Sequence, residues 1–371
     1  MWQAEVRVDL DAIRHNVAHL RGAAPGTELM AVVKADGYGH GMVPVARAAL
    51  QAGAASLGVC TLDEALTLRR AGVTAPVLAW LLSPGQPLHE GVSAEVELSA
   101  ANVAQLEEME TAASRAGRPA RIHLKIDTGL GRSGAAPADW PALVEVACKA
   151  QAGGTVEIIG VWSHLAHADA PDHPTVDRQL ATFHEGLAVA ARAGIEPRYR
   201  HLANSAATLT RPDTHFDLVR PGIAVYGLSP VPGDPFGLRP AMTARARVML
   251  TKRVPAGQGV SYGHTYHTSA ETTLAVVPLG YGDGVPRAAS NAGPVALGGR
   301  RRTIAGRVCM DQFVLDCGDD PVTAGDVAVL FGSGAGPEPT ADDWAAAAGT
   351  INYEIVTRFG GARVPRVYDH E

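Results

Sequence analysis

Cysteine is scarce in this chain, with four residues, Cys60, Cys148, Cys309 and Cys317, among 371. No two stand as CxxC and no spacing fits a zinc ribbon or finger, so the pattern supports neither a structural zinc nor a dithiol redox centre. Such thin cysteine usage fits a reducing cytoplasm. No apolar run is long enough to span a bilayer. The first seven residues lack the basic flank and apolar core of a signal peptide, so a cytoplasmic protein with no membrane partner is expected. A cationic surplus is missing as well. With 38 acidic against 32 basic residues the net charge is −6, which argues against nucleic acid as a partner. Repeats are absent, and the 41 glycines and 25 prolines are scattered as punctuation. What remains is a globular composition, 46% hydrophobic and 19% charged with mean hydropathy +0.03, and a length that suggests two domains.

Through residue 228, short β-type runs alternate with Ala-rich amphipathic stretches. Candidate strands cover residues 29–34, 56–59, 76–80, 95–98, 121–127, 158–164, 199–204 and 216–220. Candidate helices cover 43–52, 62–71, 100–116, 141–152 and 176–193. Ser99 and Gly117 read as the start and stop of the long third helix. Repeated βα units imply a parallel sheet, and eight strands in about 200 residues match an α/β fold of the (β/α)8 TIM-type barrel. An open doubly wound sheet is the alternative. A GxGxxG in the first βα turn would favour it, and none is there.

That first turn is residues 32–41, Val-Val-Lys-Ala-Asp-Gly-Tyr-Gly-His-Gly. An apolar strand ends on Lys34, and glycines at alternate positions let the backbone beyond it crowd around a ligand. A lysine over such a loop is either an ordinary solvated side chain or a nucleophile toward carbonyls, or a base. Barrel enzymes carry their catalytic groups at the carboxyl ends of the strands. Lys34, Asp127 with the loop to Arg132, His164, Asn204 with Ser205, and Arg220 all fall there. Five polar positions on one rim make a site. Asn204 or Ser205 caps a short Ala-rich helix; alternatively, free N–H groups there and near Gly222 bind a phosphate. No metal is expected: the segment from His164 through His167, Asp169 and His173 follows no metal-site pattern, and His167 and His173 read as structural.

Residues 229–240 hold four prolines and read as an inter-domain connection, giving domains 1–235 and 236–371. Beyond it, period-two alternation from Met242 to Leu250 and runs at 273–279, 294–297, 302–308, 313–317 and 327–331 indicate a mostly-β domain, sandwich or barrel. Residues 5–10 could add a strand to either domain. Thr340 opens a capping box ahead of Trp344. Tyr353 is either core or a phenol reaching a phosphate. Tyr262, Met310 and Asp311 lie in or beside turns, and nothing local brings them to Lys34.

Residues 32–41 resemble the pyridoxal 5'-phosphate (PLP) attachment signature of the alanine racemase family. Similar motifs follow in order over essentially the whole chain, at residues 123–132, 201–205, 220–227, 260–266, 280–284, 307–312, 350–354 and 363–366. The resemblance implies a fold-type III PLP enzyme: a barrel, a β domain and a head-to-tail homodimer whose active sites use both subunits. By position it implies that Lys34 carries PLP covalently and serves as one base. Tyr38, Ser205 with neighbouring Asn204, the backbone of Gly222 and Ile223, and Tyr353 would hold the phosphate. Arg220 would face the pyridine nitrogen, supported by His201. Tyr262, from the other subunit, would be the second base, tuned by His164. Arg132 and Met310, the latter also from the partner, would contact the substrate; Tyr262, Tyr281 and Met310 would form a gate for small side chains, with Asp311 in support. Lys125 matches a lysine that some members carbamylate to hold Arg132. The implied activity is two-base interconversion of L- and D-alanine for peptidoglycan. A broad-specificity racemase and a non-catalytic PLP-binding barrel are the alternatives.

Overall fold

The computed structural model describes residues 2–361 and 363–370. Eight parallel strands run in order round a ring: Glu28–Val32, Ser56–Val59, Val77–Ala79, Glu97–Ala100, Ala120–Lys125, Val156–Trp162, Tyr199–His201 and Leu218–Val219. The last pairs back onto the first, with Glu28 opposite Leu218. At the remaining seam, Asp217 N donates to Arg200 O (3.1 Å) and Arg220 N to Ala203 O (2.9 Å), which draws the ring closed. Buried on both faces, these strands read as near-continuous apolar runs, as parallel strands do. Helices follow the strands and each buries one stripe. Phe183 on Pro174–Arg192 is fully buried, a contribution of about 1.5–3 kcal/mol.

The long helix begins at Val103. Its cap is Asn102, which accepts from Gln105 N at 2.9 Å; Ser99 instead lies inside the strand Glu97–Ala100. The apolar stretch around Ser99 is barrel lining, and the capping oxygen comes three residues later. Among the described residues, the right-handed α-helices not foreseen are Leu10–Ala23, Leu88–Ser93 and Asn352–Arg358. The first carried a readable signal, since Asp9 accepts from Asp11 N and Ala12 N at its start.

The C-terminal part is mostly β. A six-stranded and a three-stranded sheet share a core that holds buried Phe313, Phe331 and Trp344, and a two-stranded ribbon packs Val260 in a separate cluster with Val254, Leu274 and Ala305. The first strand of the chain, Ala4–Asp9, joins the six-stranded sheet between Met242–Arg247 and Arg366–Asp369. Alternation stops earlier than the sequence suggests. Met242, Ala244 and Ala246 point inward, but Met249 and Leu250 are exposed, because the chain leaves that sheet there and Leu250–Val254 pairs with Thr272–Val277. Thr340 forms the expected capping box with Asp343.

Candidate active site

A cavity of about 470 Å³ opens at the carboxyl ends of the barrel strands. Lys34, Arg132, His164, Asn204, Ser205 and Arg220 line it, so the rim positions read from the sequence do converge. Tyr38, Gly222, Ile223, Lys125 and Tyr353 line it too.

Lys34 follows the first barrel strand and opens a turn of unusual hand. Ala35, Asp36, Gly37 and Tyr38 all have φ between +49° and +63°. Only glycine adopts this region freely, so the three other residues are strained by roughly 1–2 kcal/mol each. External bonds hold the turn: Ala35 N donates to Glu64 Oε1 (2.7 Å), Met42 N to Asp36 Oδ1 (2.9 Å), and Arg366 Nε to Gly39 O (2.7 Å). Arg366 also pairs with Asp36 at 2.8 Å. Tyr38 is thereby turned inward, where burial raises its phenol well above the ordinary value.

A recess for an anion lies opposite. Ser205 Oγ accepts from Gly222 N (2.8 Å) and Ala224 N (3.3 Å), which leaves the hydroxyl proton free to donate. Asn204, not Ser205, is the helix cap, accepting from Ala207 N at 3.2 Å. A Cβ on Gly222 would sit 2.3 Å from Tyr38 Oη, so glycine there lets the phenol reach the recess. Tyr353 stands beside it, its phenol raised to about 12 by burial and by Asp169.

The floor is cationic. Arg220 lies 4.8 Å over Trp162 and donates to Ser163 O (2.7 Å) and Leu202 O (3.2 Å). Burial lowers it to about 9, so it stays charged at neutral pH. Lys125 lies 4.4 Å over the same ring and donates to Ser133 Oγ at 2.6 Å. Desolvation, then Arg220 and Arg132, hold His164 well below the ordinary imidazole value. Asp127 does not line the cavity. Its carboxylate accepts from the N–H groups of Gly129, Leu130, Gly131 and Arg132, which keeps it below its usual range against the opposing effect of burial and fixes the loop bearing Arg132. His173 caps Thr175 N and stacks on His167 at 4.0 Å, both clear of the cavity.

Tyr262, Tyr281, Met310 and Asp311 are not in this cavity. The first three are exposed, Tyr262 at 70%, and they ride on loops laced together in the β domain. Ser261 Oγ donates to Arg307 O (2.7 Å), Tyr281 N to Cys309 O (3.0 Å) and Gly282 N to Met310 O (2.9 Å). Asp311 pairs with Arg363 at 2.7 Å.

A lysine at a strand end, a hydroxyl and phenol recess and a buried cation beneath define a barrel suited to a phosphorylated carbonyl cofactor. The family model of the alanine racemase N-terminal domain matches residues 8–230, and that of the alanine racemase C-terminal domain matches 241–368. An alanine racemase of Salinispora arenicola is 76% identical over 371 residues, covering all of both chains; one of Thermobifida fusca is 60% identical, covering 98% of each. Among solved structures, alanine racemase from D-cycloserine-producing Streptomyces lavendulae superposes with a TM-score of 0.98 at 56% identity, covering 100% of this chain and 98% of that one. The Bacillus anthracis enzyme with bound L-Ala-P gives 0.91 at 38% identity, covering 100% and 96%. The chain belongs to the alanine racemase family, whose cofactor is PLP.

Proposed function

We infer that this chain racemises alanine with PLP, supplying D-alanine for peptidoglycan in the cytoplasm. The observation that carries the reading is the single cavity joining Lys34, the Ser205 recess and Arg220. Bound PLP withdraws electrons from the amino-acid Cα and so acidifies its hydrogen. The residues fit that group. Lys34 would attach it; the Ser205 hydroxyl, the Tyr38 and Tyr353 phenols and the backbone of Gly222 and Ile223 would take its phosphate, with Asn204 fixing the helix beside them. Arg220, supported by His201, would face the pyridine nitrogen. A guanidinium does not surrender its proton readily, so Arg220 would donate a hydrogen bond to that nitrogen without protonating it.

Inversion needs a base on each face of a planar carbon. Lys34 Nζ serves one face. Among the described residues that line the cavity, Tyr38 and Tyr353 are given to the phosphate, His164 and Lys125 lie around the guanidinium floor, and burial pushes the Cys60 thiol up. We assign the second base to Tyr262 of the partner subunit in a head-to-tail homodimer, where Met310 and Tyr281, with Asp311 behind them, narrow the entrance for a small side chain. His164 tunes that phenol, and Arg132 positions it and the substrate. The exposure of Tyr262, Tyr281 and Met310 on one laced surface supports this reading. The boundary between barrel and β domain is placed at 235/236, within the proline-rich connection.

Incubation of the PLP-loaded enzyme with L-alanine in deuterated water tests the activity. The expected product is D-alanine with deuterium at Cα; absence of exchange rejects the racemase reading. Borohydride reduction is expected to leave the cofactor on Lys34, and Lys34→Ala is expected to lose both labelling and exchange.

A further inference from the structure

Beneath Arg220, a line of buried polar groups crosses the barrel interior, and two of its members have no role above. Arg220 Nη1 lies 3.0 Å from His201 Nδ1, His201 Nε2 lies 2.9 Å from His123 Nδ1, and His123 Nε2 lies 2.9 Å from Glu97 Oε2. Both imidazoles are fully buried and Glu97 is 2% exposed, with Arg121 paired to its other oxygen at 2.9 Å. The surroundings are shaped to hold the rings. A Cβ on Gly160 would meet His123 Nδ1 at 2.2 Å, and Trp162 stacks flat on His201 at 5.5 Å.

Elimination places every proton. A guanidinium only donates, so His201 Nδ1 must accept. The one proton of His201 is therefore on Nε2, and it points at His123 Nδ1. That nitrogen must accept in turn, which puts the proton of His123 on Nε2, facing the carboxylate. Both rings are neutral. An imidazolium at His123 would oppose a donor to the Nε2–H of His201. The line thus has one direction, from a cation to an anion, and each bond polarises the next.

We propose that Glu97 and His123 are positioning residues that lock His201 in the one tautomer able to accept from Arg220, and so aim the guanidinium at the cofactor cavity. The Nη2 group of Arg220 is taken by Ser163 O and Leu202 O. Fixing one Nη1 hydrogen on His201 leaves Nε–H and the second Nη1 hydrogen without a hydrogen-bond acceptor among the described residues. Those are the donors for a ligand. If His201 flipped its proton to Nδ1, it would meet Arg220 donor to donor and push the guanidinium off this alignment. The catalytic consequence rests on the reading of Arg220 above; the tautomer assignment does not.

Replacing His123 separates direction from packing. In His123→Gln the amide oxygen can accept from His201 and the amide nitrogen donate to Glu97, so the direction survives. His123→Leu ends it. With PLP saturating and thermal stabilities matched, kcat of His123→Leu is expected about tenfold or more below that of His123→Gln. Nitrogen-15 spectra of histidine-labelled wild type, with and without PLP, are expected to show His201 and His123 as neutral rings protonated at Nε2. Equal kcat in the two variants overturns the positioning role. A His201 protonated at Nδ1 in wild type overturns the whole inference, and this spectrum decides the matter even where a variant folds poorly. Wild type that exchanges no alanine hydrogen would overturn the function instead, while the spectra still judge the line of protons.

Discussion

Lys125 is only 4% exposed, and burial, then Arg220 and Arg132, lower its ammonium to about 8. Its ordinary value in the unfolded chain is 10.5. Below pH 8 both states hold the proton and the folded chain bears the full cost of burying it. Between about 8 and 10.5 the unfolded chain binds more protons, so this group makes stability rise with pH. In carbon dioxide-free buffer, the difference in Tm between wild type and Lys125→Met is expected to move in favour of wild type across that window. A flat difference would mean that Lys125 is solvated. A partly neutral amine among cations is also a good site for carbamylation, since the product is an anion where Arg132 and Arg220 need one. Carbon-13 bicarbonate is expected to give a carbamate signal in wild type that Lys125→Met lacks.

At the scale of elements, the left-handed turn after Lys34 depends on parts distant in sequence. Glu64 closes the capping box of the helix Leu62–Arg70 and in the same geometry accepts from Ala35 N. Arg366, on the last strand, grips Gly39 O and Asp36. Removing that grip frees a strained segment and leaves the exposed Asp36 carboxylate without its Arg366 partner. Arg366→Ala is expected to weaken PLP binding about tenfold, equivalent to about 1.4 kcal/mol, and to lower Tm. Absorbance titration with PLP checks it, and unchanged affinity would mean that the turn holds itself. Lys34, its glycines and the rim residues were legible in the sequence because strand ends and turn glycines are local features. Glu97 and His123 were not. One reads as a strand residue and the other as part of a family motif, and only ring closure carries them to His201. Asn102 was missed for a different reason, since a barrel-lining serine imitates a cap when the strand boundary is misjudged by two residues.

For the whole molecule, the cavity that holds Lys34 is not lined by Tyr262 of the same chain. The barrel, the β domain and the order of motifs could be read from the chain, because periodicity changes at the proline-rich connection. Which copy supplies Tyr262 could not be read that way, since exposed side chains carry no periodic signal for the surface that meets them. A self-complementary dimer has two equivalent sites, and a shared site makes a sharp arithmetic prediction. Lys34→Ala protein has no imine anchor and Tyr262→Phe protein no second base, so each alone should be nearly inactive. When the two are unfolded together and refolded in equal amounts, half of the dimers should be mixed. In a mixed dimer with sites built across chains, one site receives both lesions and the other receives neither. Activity should then return to about a quarter of the wild-type value. Sites built within single chains would leave every mixed dimer with two damaged sites and no recovery. Sedimentation of the mixture confirms that dimers formed, so a failure to recover activity would count against the shared site rather than against refolding.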